Sequence, residues 1–116
     1  MSIEKIILAK TDLVLKGKHQ VIKKHSVENI IIEIIDFVTK TVSNVHTFNW
    51  NEWHIGLTVY PHQEKREQGK PVKWKSWKAN SHSDAIKIQK YFIDKYPINL
   101  NRRNGQYDYF VYIFKK

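Results

Sequence analysis

Cysteine is absent from the 116 residues, which excludes disulfides, cysteine-ligated metals and thiol chemistry. Long apolar runs are absent too. The isoleucine run Ile30-Ile31-Ile32 is broken by Glu33 before Ile34-Ile35, whereas a membrane-spanning helix needs about 20 apolar residues. The opening Met1-Ser2-Ile3-Glu4-Lys5 carries charge where a secretory signal has its apolar core. These absences predict a soluble, cytoplasmic chain with no membrane partner. Several catalytic signatures are also missing: there is no Walker loop, GxGxxG, HExxH or serine-nucleophile motif. The six histidines are scattered. An extended chain would hold His54 and His62 roughly 26 Å apart, so no dedicated metal site is predicted. Acidic residues are scarce, 11 against 20 Lys and Arg, for a net charge of +9.

What is present is enough to fold. Hydrophobic residues make up 41% and aromatics 13%, and 116 residues suffice for one core, so a single domain over 1–116 is expected. The charge is clustered. The net charge is +4 over residues 1–25, −2 over 26–49, +4 over 59–80 and +3 over 98–116. Such a field attracts polyanions by releasing their counterions.

The central stretch is Trp53-His54-Ile55-Gly56-Leu57-Thr58-Val59-Tyr60. Its period-two alternation puts Trp53, Ile55, Leu57 and Val59 on one face, and His54, Gly56, Thr58 and Tyr60 on the other. Gly56 weakens a strand but lets another group approach the backbone. Before it, residues 1–25 read either as a hairpin turning at Lys16-Gly17-Lys18 or as a basic arm. Residues 26–44 predict a helix with Ser26 as N-cap and Glu28 in its first turn. Val27, Ile31, Ile34, Val38 and Val42 form its stripe, widened by Ile30, Ile32, Ile35 and Phe37. A helix apolar nearly all round is buried or packs on a partner, so a homodimer or protein partner through 26–44 is one expectation.

After Pro61, residues 61–71 read as a polar loop with one helical turn. Residues 72–79 form the next strand, interleaving Lys73, Lys75 and Lys78 with Trp74 and Trp77. Lysine neutralises phosphate and tryptophan stacks on bases; a plainer reading is a lysine-guarded edge strand whose tryptophans cover the core. Ser81 and Asp84 resemble a capping box. The helix that follows, 82–95, carries Ala85, Ile88, Phe92, Ile93 and Tyr96 on its apolar face, with Gln89 among them, and stops before Pro97. A buried amide needs partners. Arg102 and Arg103 lie on a polar loop with an Asn104-Gly105 turn, and 107–114 closes the chain as an aromatic strand.

His54-Ile55-Gly56-Leu57-Thr58, then Arg66, then Ser83-Asp84-Ala85-Ile86-Lys87-Ile88-Gln89-Lys90-Tyr91-Phe92 resembles the second half of the GIY-YIG nuclease domain. There a Tyr-Ile-Gly strand leads to an arginine on a short helix, and a glutamate on a later helix binds the metal. The stretches 53–58, 89–92 and 109–114 are also similar to small bacterial and phage proteins with a Trp-Tyr-x-Gly-Ile-Thr strand and a Glu-Lys-Tyr-Phe helix. Here His54 stands at the second tyrosine position and Gln89 at the glutamate position, and no Gly-Ile-Tyr strand precedes Trp53. A neutral amide does not hold Mg²⁺ as a carboxylate does. The resemblance therefore implies a relative that keeps the scaffold and a nucleic-acid surface without efficient hydrolysis. Mg²⁺ enters only in the nuclease alternative, whose candidate catalytic residues are His54, Tyr60, Arg66 and Gln89, with Glu64 or Glu52 as substitute carboxylates.

The expected fold is α+β, with an antiparallel sheet of about three strands (53–60, 72–79, 107–114) against two main helices (26–44, 82–95). The expected function is binding of nucleic acid, DNA first, through Arg66, Lys73, Lys75, Lys78, Arg102 and Arg103, with Trp74 or Trp77 stacking.

Overall fold

A computed structural model describes residues 26–40, 49–101 and 107–115. The expectations for residues 1–25, for the first helix beyond Lys40, and for Arg102 and Arg103 lie outside the described residues. In chain order the elements are α1 (Val27–Lys40), a 3₁₀ turn (Trp50–Glu52), β1 (Trp53–Thr58), α2 (Pro61–Glu67), β2 (Lys73–Lys78), α3 (His82–Lys95), β3 (Asn99–Leu100) and β4 (Phe110–Lys115).

The capping residues act as their chemistry requires. Ser26 Oγ accepts from the Asn29 N–H at 3.1 Å, and Ser81 Oγ accepts from the Asp84 N–H at 3.1 Å. Each satisfies a donor that the first helical turn leaves open. Tyr96, preceding Pro97, takes extended backbone angles (φ −130°, ψ 153°), as proline demands of its neighbour. α3 therefore ends at Lys95.

The sheet has four strands in the order β2-β4-β1-β3. β4 runs antiparallel to both β2 and β1, while β3 is parallel to β1. The fold is α+β as expected, with two differences. The sheet is mixed and gains β3, two residues with no readable periodicity, held by pairing of His54 with Asn99 and Ile55 with Leu100. β1 stops at Thr58, two residues early: the Tyr60 N–H turns back to Thr58 Oγ1 at 3.1 Å, and Pro61 then opens the seven-residue α2. A proline at the first helical position is preset for that role.

The two faces of the sheet differ in chemistry. Trp53, Ile55 and Leu57 of β1 and Val111 and Ile113 of β4 face α1 and α3, forming the aliphatic core with Ile30, Ile34, Ile35, Val38, Ala85, Ile88 and Phe92. Ile30, Ile31, Ile34, Ile35 and Val38 of α1 are thus buried in the chain's own core, with Val27 and Phe37 partly buried against it. Trp50 closes one end, stacked on Tyr96 at 4.5 Å and 16°. Among the described residues, no helix is long and apolar enough to cross a membrane.

Tyr96 is 3% exposed. Burial, with the neighbouring Tyr91 phenol adding to it, raises its pKa above the ordinary 10.0. The folded state therefore retains this proton at pH values where the unfolded chain releases it. The associated stability is fully present below pH 10.0 and is lost as the pH rises beyond that value. Denaturant titrations between neutral pH and pH 11 are expected to show this loss, and Tyr96→Phe to show less of it; equal loss in both would rule the assignment out.

Candidate functional site

The face of the sheet opposite the aliphatic core is aromatic. At one register level Trp74 of β2 pairs with Phe114 of β4, and Phe114 with His54 of β1. Their rings stand nearly parallel. Trp74 to Phe114 is 5.6 Å at 26°, and Phe114 to His54 is 4.9 Å at 12°. Tyr112, two residues back on β4, stacks on Trp74 at 4.8 Å and 14°. This is the offset stacking that cross-strand aromatics prefer.

Tyr112 also anchors a polar network. Its hydroxyl donates to Glu64 Oε1 at 2.7 Å and accepts from Asn101 Nδ2 at 2.5 Å. Tyr112 is fully buried and Glu64 is 5% exposed. Tyr112 pairs with Gly56 across β1 and β4. A Cβ on Gly56 would lie 2.9 Å from Tyr112 Cε1 and closer still to Cζ and Oη. The close approach that Gly56 permits is thus that of the phenol ring, which must cross β1 to reach Glu64 on α2. The sequence carried half of this signal, a glycine inside a strand. Its partner lay 56 positions later and could not be read from spacing.

Beside Glu64 is a cleft of about 210 Å³ lined by Thr58, Val59, Tyr60, Gln63, Glu64, Glu67 and Asp108. Its three carboxylates make it a poor seat for phosphate. Among the described residues, no three histidine or acidic side chains come together to hold a metal ion.

The basic residues lie elsewhere. Among the described residues, no strand pairs with the outer side of β2, which is the edge strand of the described sheet. Lys75 and Lys78 are exposed there. Lys75 Nζ lies 5.4 Å from the Trp77 ring centroid, and Lys78 Nζ lies 5.7 Å from that of Tyr109. These are cation–π distances that leave the charge in solvent. Lys40, Lys90 and Lys115 are ion-paired with Asp36, Asp94 and Glu52, whereas no carboxylate of the described residues pairs with Lys75 or Lys78. Lys73 sits directly across from Lys115, whose charge Glu52 meets at 3.0 Å. Lys70, Lys73 and Lys115 line a shallow groove with the fully exposed Val72.

The structure sorts the sequence candidates. Lys73, Trp74, Lys75 and Lys78 share this edge strand. Trp77 is 7% exposed and packs edge-on against Phe37 at 5.9 Å, so it belongs to the core and has no free face for a base. Of the residues named for catalysis, His54 lies on the aromatic face, Tyr60 is 68% exposed before α2, and Arg66 is exposed on α2. Gln89 is buried on α3, on the other side of the sheet. His54 and Gln89 are therefore not brought together. Asn101 and the particular role of Tyr112 were missed by sequence reasoning, because Tyr112 was read only as part of the aromatic strand and its partners Glu64 and Asn101 lie far away in sequence. Comparison with known proteins finds no matching family model, curated protein or solved structure.

Gly56→Ala is expected to destabilise the fold by about 1–3 kcal/mol in chemical denaturation, as overpacking of a well-packed site does. Tyr112→Phe leaves Glu64 without its phenol donor and is expected to cost about 1–3 kcal/mol. Glu64→Gln should then add little in the Tyr112→Phe background; additive effects of the two changes would refute the network.

Proposed function

We propose that this domain binds nucleic acid by its phosphate backbone along the edge strand β2, without hydrolysing it efficiently. The observation that carries this reading is the pair Lys75 and Lys78, exposed on the edge strand of the described sheet with no carboxylate of the described residues beside them. Lys73 and the groove lysines Lys70 and Lys115 extend the same basic band. DNA is the first ligand to test. Arg66, Arg102 and Arg103 are further candidates for phosphate contacts, by virtue of their guanidinium forks.

Fluorescence anisotropy with short DNA and RNA across a salt series tests this reading. Affinity should fall as salt rises, with a slope of about −0.7 to −0.9 per neutralised phosphate in log–log form. Lys75→Gln with Lys78→Gln should lessen that slope by about 2 and weaken all sequences alike. A domain that binds neither nucleic acid at low salt would overturn the proposal.

A second reading, metal-dependent hydrolysis of the kind the GIY-YIG resemblance implies, is favoured by one observation. Glu64 is packed through Tyr112 onto the His54 side of the sheet, offering a carboxylate where Gln89 offers none. On that reading, plasmid DNA is nicked with Mg²⁺, and Arg66→Ala and Glu64→Gln abolish the nicking. Intact plasmid after long incubation with the unmodified protein would sink it.

A further inference from the structure

The parallel ring row across β2, β4 and β1 ends on Trp74, at the edge strand of the described sheet. The inner face of Trp74 is covered by Tyr112 and Phe114. Tyr112 and Phe114 lie 6.0 Å apart, too close to sit on opposite sides of the indole, and no ring of the described residues covers its other face. Trp74 is half-buried, while Trp50, Trp53 and Trp77 are all at most 7% exposed. The indole is thus held rigidly from one side, and little side-chain entropy remains to be lost when a second ring covers the other.

Cations flank this face on both sides of the strand. Lys73 and Lys75 project to the core side of the sheet, and Lys78 shares the Trp74 side. A fifth strand of a second copy would set these lysines against their own kind, which like-charge repulsion opposes. A chain of phosphates would neutralise them instead, and its unpaired bases would have a π-surface at the same spot. Duplex bases are already stacked on both sides and offer no free ring there.

The geometry points to Trp74 as a base-stacking platform, with single-stranded nucleic acid as the ligand class of the β2 edge. This inference rests on the phosphate-binding reading above and refines it. An oligothymidine of about 12 nucleotides and a duplex of equal length serve as probes. The unmodified protein should bind the single strand about tenfold more tightly than the duplex, and Trp74→Ala should remove that difference by weakening single-strand binding. Trp74→Phe keeps a ring in the row and guards against loss of folding in the alanine variant. It should retain single-strand binding but lose the tryptophan quenching that the oligonucleotide causes in the unmodified protein. Equal single-strand affinity in the unmodified and Trp74→Ala proteins would overturn the stacking role and leave phosphate binding standing. Quenching that persists in Trp74→Phe would overturn it as well. Absence of binding to both probes would overturn the two readings together.

Discussion

The phenol of Tyr112, laid across Gly56 and bonded to Glu64 and Asn101, is the contact on which the aromatic side of this domain depends. It joins four pieces of chain that are distant in sequence: β4, the middle of β1, the short α2 and the residue after β3. A seven-residue helix is too short to be stable by itself, and α2 lacks a side-chain cap at its start. Its buried glutamate gives it a tether. A carboxylate is tolerable at that depth because a phenol donor meets it, and the phenol in turn is met by an amide. Removing the phenol hydroxyl takes away both bonds at once, from Glu64 and from Asn101.

The sheet separates two tasks by the alternation of its strands. Odd-numbered positions of β1 and β4 carry Trp53, Ile55, Leu57, Val111 and Ile113 into the aliphatic core beneath α1 and α3. Even-numbered positions carry His54, Gly56, Tyr112 and Phe114 to the other side. Stability on the first side comes from area removed from water, and on the second from ring stacking and a hydrogen-bond relay. The relay side ends at the edge strand β2 of the described sheet, where Lys75 and Lys78 have no carboxylate of the described residues beside them. The acidic cleft beside α2, lined by Glu64, Glu67 and Asp108, lies on this side, whereas Lys73 and Lys75 project to the other.

Much of the fold was legible in the sequence. Both main helices and three strands lay near the positions that periodicity and capping residues gave, because one-sided burial imposes a period of 3.6 or 2 on the chain itself. The burial of Gln89 in α3 was readable for the same reason. Two elements escaped full reading. β3 is too short to show a period, and its identity comes from pairing with β1. α2 showed only its proline start, since its buried contact is a single glutamate and not an apolar stripe.

The site divides along the same line. Local sequence determined that Lys73, Lys75 and Lys78 would alternate with aromatic residues on one strand, and that a glycine would interrupt another. Only the tertiary structure decided which tryptophan enters the core and which ends the ring row at the edge. It also put β2 on the outside of the sheet and assigned Tyr112 as the group above Gly56. The reason is physical. Alternation is a property of a single strand, set by its own backbone geometry. Strand order and cross-strand partners depend on contacts between residues dozens of positions apart, such as Tyr112 with Glu64, and no local period encodes them.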